Sequence, residues 1–136
     1  MDCIFCKIIQ GKIPSVKIYE DDNIFAFMDI NPLSTGHTLV VPKTHAADIF
    51  EISEQDAIEV IRVVRLLSTA IKKVVQADGI NILQLNGKAA GQVVPHLHVH
   101  IIPRWFDDGI TISHWPMKAG DMDKLKEIAE KIKAEV

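Results

Sequence analysis

The chain has 136 residues, 48% of them hydrophobic and 24% charged, and this balance predicts one compact domain over residues 1–136. Its formal net charge of −3 provides no basic field, which argues against a nucleic-acid polymer as partner and favours a small-molecule ligand. No apolar run approaches the roughly 20 residues of a membrane span, and Asp2 is unlike the start of a signal peptide, so we expect a cytoplasmic protein without a membrane partner.

The two cysteines, Cys3 and Cys6, form a single CxxC motif close to the N-terminus. A thioredoxin-like redox site needs a strand before the motif, and there is no room for one here. Two thiolates at this spacing can bind one tetrahedral metal ion, so the motif is compatible with half of a zinc site. Two cysteines that merely pack in the interior are the alternative, and the motif alone does not decide between them.

The segment up to Pro42 predicts three strands. The sequences VKIYED, from Val16, and NIFAFMDI, from Asn23, meet at an acidic turn and predict a β-hairpin. After the loop NPLSTG, the apolar sequence HTLVVP predicts a third strand that ends at Pro42.

A long helix is predicted to begin after Ser53. This residue is a favourable N-cap, Asp56 is a weak capping-box partner, and Gly79 is the predicted stop. Apolar residues recur at helical spacing, and we interpret their stripe as core: Ile58, Ile61, Leu67, Ile71 and Val74.

The remaining segments complete an α+β fold. The sequence INILQLN, from Ile80, predicts a fourth strand, GKAAGQ a turn, and residues 120–136 a short amphipathic helix. Two groups of strands around one long helix predict an antiparallel sheet rather than a doubly wound nucleotide fold. The chain also lacks the GxGxxG and P-loop motifs of such folds.

Residues 96–100 read HLHVH, so three of the six histidines fall within five positions. Successive side chains of a strand point to opposite faces, which would place His96, His98 and His100 on one face. The surrounding sequence VVPHLHVHIIP alternates, is rich in β-branched residues and is bounded by prolines, so it predicts the fifth strand. Taken alone, three histidines on one face suggest a catalytic metal site.

Three motifs in order carry a resemblance to a known family: MDINPLSTGHTLVVPKTH, NGKAAGQVV and HLHVHII. The chain resembles the histidine triad (HIT) family, and its Hint branch more than its dinucleoside polyphosphate branch. The resemblance extends from Cys3 to Arg104. It implies a HIT-like fold, with a five-stranded antiparallel sheet, one long helix and a short C-terminal helix. It also implies a homodimer in which the sheets of two subunits join.

The resemblance implies a nucleotide hydrolase or transferase that acts at the α-phosphate of nucleoside 5'-phosphate derivatives such as adenosine phosphoramidates. His98 would be the nucleophile and would form a covalent nucleotidyl-histidine intermediate. A neutral imidazole attacks through one ring nitrogen only if the other carries the proton, and a backbone carbonyl can hold that tautomer. His100 and Asn86 would hydrogen-bond the phosphoryl oxygens, and Gln92 would orient the attacked group or its leaving oxygen.

The family also places His37 near the site as a relay, although an interior hydrogen-bonding role is the simpler interpretation. Asp29 would accept the ribose hydroxyls of a purine nucleotide resembling AMP. Gly91 would allow the backbone to approach the phosphate, and Val93 stands where many relatives have a hydroxyl residue. The resemblance implies an apolar slot for the base, for which ordinary core packing is the alternative at Ile8 and Phe27. The slot consists of Ile4, Phe5, Ile8, Phe27 and Ile30.

In zinc-bearing members of the family the CxxC motif joins two histidines. The corresponding set here is Cys3, Cys6, His45 and His96. A closed set of four ligands is structural rather than catalytic, and it leaves His98 and His100 free. We expect this structural Zn²⁺ and no organic cofactor, with a catalytic metal as the competing mechanism.

Two other functions stay open at this point. One is hydrolysis of dinucleoside polyphosphates, and the other is a nucleotide-binding regulator with vestigial activity. A homodimer would also allow a partner's C-terminal segment, such as Trp115, to complete the site. His114 is predicted to lie on the surface.

Overall fold

The computed structural model describes residues 2–113, 115 and 117–136. A 3₁₀ turn, Lys88–Ala90, precedes the last strand. The helices and strands in chain order are α1 (Ile4–Ile9), β1 (Lys17–Glu20), β2 (Ile24–Met28), β3 (Thr38–Pro42), α2 (Glu54–Val75), β4 (Gly79–Gln84), β5 (Val99–Arg104) and α3 (Met122–Glu135).

The five strands form one antiparallel sheet in the order β1-β2-β3-β5-β4. The predicted α+β class and the five-stranded sheet are therefore confirmed. β4 forms one edge of this sheet, next to β5. Within the described ranges, none of the helices combines the length and apolar character that crossing a membrane requires.

Every residue of β2 and β3 is buried, because the sheet is covered on both faces. On one face, Ala26 and Val40 pack against α2 and α3. On the other face, Phe25, Phe27 and Leu39 pack around α1. The alternation of strand side chains thus divides the interior into a large core on the α2 side and a smaller one on the α1 side.

The start of α2 is predicted correctly, since the Ser53 hydroxyl accepts a hydrogen bond from the Asp56 N–H at 3.1 Å. Its predicted end is wrong. The helix stops at Val75, and Gln76 adopts a left-handed conformation with φ 53°. The Gln76 carbonyl accepts a hydrogen bond from Trp105 Nε1 at 2.9 Å, a tertiary contact that local sequence does not reveal. Gly79 instead begins β4.

The predicted core stripe of α2 is only partly correct. Leu67 and Ile71 are fully buried, but Ile58 and Ile61 are 55% and 58% exposed. The face of α2 that packs on the sheet excludes these two residues and consists mainly of smaller side chains. Those smaller buried residues are Val60, Val63, Val64 and Ala70.

No local sequence pattern predicts α1, which has only six residues. The Cys3 sulfur caps this helix by accepting from the Cys6 N–H at 3.5 Å. A helix this short is not stable alone, so it depends on packing of Phe5 and Ile8 in the smaller core.

The predicted fifth strand is wrong in its first half, because β5 begins only at Val99. The chain before it leaves the sheet ladder, and the Leu97 N–H instead donates to the Ala46 carbonyl at 2.8 Å. Side chains nevertheless continue to alternate. Leu97 and Val99 join the core on the α2 side, whereas the rings of His96 and His98 contact Phe5 of α1.

Candidate active site

A cavity of about 510 Å³ lies beside α1, between the end of β2 and the histidine segment. Ten of the twelve residues predicted to bind nucleotide line it. They are Ile4, Phe5, Ile8, Phe27, Asp29, Ile30, Gly91, Val93, His98 and His100. Leu39, Leu85 and Met117 also line it, without a sequence signal for that role, and so does Trp115. Most of the wall is apolar, and the two imidazoles and one carboxylate are its principal ionisable groups.

His98 is held in one tautomer by the backbone. Its Nδ1–H donates to the His96 carbonyl at 2.7 Å, so the lone pair is on Nε2. The side chain is 8% exposed, and the ring of Phe5 meets it edge-on at a centroid distance of 5.1 Å. His98 therefore has an unprotonated nitrogen and a fixed ring orientation, which are the requirements for an imidazole nucleophile.

A chain of hydrogen bonds also fixes the tautomers of His37 and His100. The Leu33 N–H donates to His37 Nδ1 at 2.9 Å, so the proton of this imidazole is on Nε2. His37 Nε2–H then donates to His100 Nδ1 at 3.0 Å. It follows that His100 carries its own proton on Nε2. We call Leu33, His37 and His100 the relay, and its terminal N–H belongs to a cavity-lining residue.

Burial keeps the histidines of this region uncharged near neutral pH. It lowers the pKa of His37 to about 3, with a smaller effect from His98. Burial also lowers the pKa of His100 to about 3, with smaller effects from His98 and His37. The pKa of His98 is likewise lowered, mainly by burial. A neutral His98 can attack an electrophile, and a neutral His100 can still donate a hydrogen bond.

Asp29 lies in the same wall, just after β2. Burial raises the pKa of its carboxyl to about 6, although a hydrogen bond from the Asn31 N–H opposes this effect. Its Oδ2 lies 3.5 Å from His37 Nε2. Asp29 therefore presents hydrogen-bond acceptor oxygens in the cavity wall, next to His37 of the relay.

The structure places Asn86 and Gln92 outside the cavity wall. Gln92 Oε1 accepts from the Gly87 N–H at 2.7 Å, and its Nε2 donates to the carbonyls of Ala47 at 2.6 Å and Val94 at 3.0 Å. Asn86 Oδ1 accepts from the Ile49 N–H at 2.8 Å, and its amide pairs with the Gln84 amide. Both side chains hold the loop that carries Gly91 and Val93, and their predicted contact with phosphate stays a prediction.

Trp115 lies against the relay of its own chain. Its ring centroid is 4.9 Å from that of His100 and 5.4 Å from that of His37. The expected homodimer would bring this residue from a partner subunit, whereas the structure brings it to the cavity within one chain. His114, predicted to lie on the surface, is outside the described residues.

A second cluster lies on the other side of Phe5. Its members are Cys3, Cys6, His45 and His96, and their ligand atoms all lie within 4.8 Å of one another. The sulfur-to-nitrogen distances are 3.4 Å for Cys3–His96, 3.4 Å for Cys6–His45 and 3.6 Å for Cys6–His96. The Nδ1 atoms of the two histidines are 3.1 Å apart. This cluster could hold a metal ion.

The geometry of the cluster fits a tetrahedral ion. Bonds of about 2.3 Å to sulfur and about 2.0–2.1 Å to nitrogen would separate neighbouring ligand atoms by about 3.3–3.8 Å. In addition, His96 Nε2–H donates to the Pro42 carbonyl at 2.9 Å, which leaves the lone pair on the Nδ1 that faces the cluster. Because the four protein ligands fill a tetrahedron, the site has no position for substrate.

The ligand atoms of Asp29, His37 and His100 also lie within 4.8 Å of one another. The two facing nitrogens of these histidines, however, already share one proton in a 3.0 Å hydrogen bond. We therefore interpret this group as part of the relay rather than as a metal site. The three histidines of HLHVH divide between two sites, since His96 faces the cysteines while His98 and His100 face the cavity.

Comparison with known proteins agrees with this architecture. Adenosine 5'-monophosphoramidase of Candida albicans is 40% identical over 139 residues, covering 98% of this chain and 91% of that protein. A solved Hit-like protein of Bartonella henselae has a TM-score of 0.93 and 42% identity, covering 99% of this chain and 96% of its own. A solved Zn-bound histidine triad family protein of Mycobacterium smegmatis has a TM-score of 0.88 and 34% identity, covering 99% of this chain and 93% of its own.

The family model of the HIT domain matches residues 10–107, which is most of the chain and includes His37, His45 and the whole HLHVH segment. Together with the relatives above, this match establishes that the chain belongs to the HIT domain family.

Proposed function

We propose that this HIT-family protein is a hydrolase acting at the α-phosphate of a purine nucleoside 5'-phosphate derivative, with adenosine 5'-phosphoramidate as the model substrate. The relative from Candida albicans is named an adenosine 5'-monophosphoramidase. One observation carries the proposal for this chain. His98 directs an unprotonated Nε2 to the cavity beside His100, whose Nε2 is protonated.

The cavity wall supports the binding of a nucleotide. Its apolar part, which includes Phe5, Phe27 and Ile30, offers packing surface to a base but few hydrogen bonds that would select one purine over another. Asp29 offers carboxylate oxygens to the ribose hydroxyls. The raised pKa of Asp29 falls below neutral pH, so the acceptor form predominates at pH 7.

The proposed reaction has two displacements. First, His98 Nε2 attacks the α-phosphorus, a phosphorus–imidazole bond forms, and the bond to the leaving nitrogen breaks with its electron pair. The leaving nitrogen takes up a proton from solvent and departs as ammonia or an amine. Water then attacks the phosphorus and returns a proton to solvent, the bond to Nε2 breaks, its electron pair returns to the imidazole, and AMP is released.

His100 would assist both steps by donating its Nε2–H to a phosphoryl oxygen. Negative charge on that oxygen grows in the transition state, so a preorganised donor in a buried site lowers the barrier, commonly by about 3–4 kcal/mol. The relay keeps this donor ready because His37 occupies the opposite nitrogen of His100.

We also propose that the metal cluster holds a structural Zn²⁺ through Cys3, Cys6, His45 and His96. The thiolate and imidazole donors suit this ion, and a closed site supplies no chemistry to the substrate. Elemental analysis of freshly purified protein should find one zinc per chain, with cadmium-free and chelator-free buffers throughout. Protein that folds normally with no bound transition metal would contradict this part of the proposal.

Finally, we propose that the protein is a homodimer formed through β4 and α2. β4 is an edge strand, and Ile82 on it is 47% exposed. The neighbouring helix exposes Ile58 and Ile61, so apolar surface is available on both elements. An open apolar edge favours pairing with a second sheet. Sedimentation velocity at micromolar concentration should give a dimer, and a single monomer boundary would contradict it.

The stereochemical course at phosphorus tests the proposed reaction most directly. The test substrate carries one sulfur atom and one isotopically labelled oxygen on the α-phosphorus, which makes that atom chiral. Hydrolysis should retain the configuration at phosphorus, because two in-line displacements each invert it. Inversion would exclude His98 as a nucleophile. Parallel assays with adenosine 5'-phosphoramidate and a dinucleoside polyphosphate, compared by kcat/KM, would identify the preferred leaving group.

A further inference from the structure

The short helix α1 belongs to both sites at once. Cys3 caps the helix and Cys6 lies within it, and both sulfurs face the metal cluster. Ile4, Phe5 and Ile8 of the same helix line the cavity. Half of the metal ligands and part of the cavity wall are therefore carried by six consecutive helical residues and their cap.

Little else holds α1 in place. A six-residue helix is too short to be stable by itself. Within the part of the chain that the structure describes, the helix makes one ion pair, between Lys7 and Asp2, and the Asp2 side chain is almost fully exposed. Its other attachments are the packing of Cys3, Phe5 and Ile8 in the smaller core, with Cys6 and Ile9 partly buried against it, and the contacts of the two sulfurs with His45 and His96. A metal ion that binds both sulfurs would tie the helix to His45 and His96, which lie elsewhere in the chain.

Phe5 connects the two sites directly. Its ring centroid lies 5.9 Å from that of His96 in the metal cluster and 5.1 Å from that of His98 in the cavity, both in edge-on geometry. A third edge contact joins it to Phe27, at 5.5 Å. Any displacement of α1 therefore removes cavity wall and frees the ring of the residue proposed as nucleophile. Phe5 is a positioning residue in this arrangement.

We propose that metal binding at the cluster and nucleotide binding in the cavity are positively coupled through α1. The inference depends on the proposed nucleotide site. Because the metal orders a wall that the nucleotide uses, zinc should raise the affinity for AMP. Linkage requires the reverse effect to be equal, so AMP should raise the affinity for zinc by the same factor.

Calorimetric titration with AMP tests the coupling. Zinc-loaded wild type should bind AMP at least about fivefold more tightly than chelated wild type. His45→Ala removes a ligand without changing any residue of α1, and it should show the weaker affinity even with zinc in solution. Lys7→Ala changes α1 but neither a ligand nor a cavity residue, and it should behave as wild type. Phe5→Ala should retain zinc, but zinc should raise its affinity for AMP by a smaller factor than in wild type, because Ile4 and Ile8 still join α1 to the cavity.

Hydrogen exchange supplies a readout that needs no nucleotide. Removal of zinc should accelerate exchange of the amides of Ile4–Ile9, while the amides of Glu54–Val75 stay protected. Loss of protection in both helices would mean global unfolding and would overturn the local account.

The possible failures are distinguishable. Equal AMP affinity in the zinc-loaded and chelated proteins, both folded, would overturn the coupling and leave the proposed function standing. Absence of AMP binding in the zinc-loaded protein would overturn the proposed function and the coupling together. A matching rise in zinc affinity when AMP is present, measured by competition with a chelator, would support the coupling independently of turnover.

Discussion

Acidification from pH 7 to pH 5 should destabilise the protein through the buried pair His37 and His100. Burial lowers the pKa of each imidazole from 6.5 to about 3 in the folded chain. Each stays neutral in the fold but gains a proton on unfolding once the pH is below 6.5. The stability that depends on this neutrality is complete above pH 6.5 and is lost as the pH falls toward 3.

The magnitude follows from these pKa values. Each pH unit below the unfolded pKa corresponds to about 1.4 kcal/mol, so each histidine lowers the free energy of unfolding by about 2 kcal/mol between pH 7 and pH 5. Asp29 acts in the opposite direction, because burial raises its pKa from 3.8 to about 6. Its protonated form stabilises the fold as the pH falls, which restores about 1 kcal/mol. We expect a net loss of about 2–3 kcal/mol from the three groups.

Urea unfolding of wild type and His37→Gln at both pH values measures this effect. The Gln amide does not titrate, and it can still donate an N–H toward His100 Nδ1. The loss of stability between pH 7 and pH 5 should therefore be about 2 kcal/mol smaller in the variant than in wild type. The metal ligands are the same in the two proteins, so their titration cancels in the difference. An equal loss in both proteins would refute the claim that His37 is held neutral by the fold.

Three further substitutions test other parts of the structure. His98→Asn should lower kcat by at least about 10³-fold while AMP affinity and zinc content stay unchanged, and a variant with normal turnover would exclude the proposed nucleophile. Gly36→Ala should destabilise the fold by more than about 1 kcal/mol and lower kcat, because Gly36 has φ +90° and an added Cβ would lie 3.2 Å from Pro103 Cγ and from Val75 Cγ1, next to His37. Gly109→Ala is the control, since Gly109 also has positive φ but open space, and an equal effect of both substitutions would contradict the packing argument. Gln92→Ala should lower the thermal midpoint, because it removes the side-chain hydrogen bonds to the Gly87 N–H and to two carbonyls, each typically worth about 0.5–1.5 kcal/mol, and an unchanged midpoint would contradict that role.

Much of the fold could be predicted because burial imposes regular patterns on the sequence. The nearly continuous apolar runs of β2 and β3 reflect a sheet covered on both faces, and the Ser53 cap marks the start of α2. The alternation in HLHVH correctly places His98 on the side opposite Leu97, even though β5 begins only at Val99.

Other features have no local signal. α1 is too short to show helical periodicity, and contacts with residues far along the chain, such as Phe27 and His98, determine where it lies. The partners of Gln92 include the Ala47 carbonyl, 45 positions earlier, so its structural role could not be deduced from the GQVV turn. Nor does any pattern indicate that the ring of Trp115 lies on His100. These features arise from tertiary contacts that a one-dimensional pattern does not encode.

The alternation around HLHVH has a consequence for how this protein can change over time. Between residues 96 and 101, even-numbered positions hold the imidazoles and odd-numbered positions hold aliphatic core residues. A substitution at an odd-numbered position alters the aliphatic core without removing an imidazole, and one at an even-numbered position alters a site without opening the core. An insertion or deletion of one residue would exchange the two sets and place imidazoles in the aliphatic core. The segment therefore tolerates aliphatic exchanges at its odd-numbered positions better than any change in length.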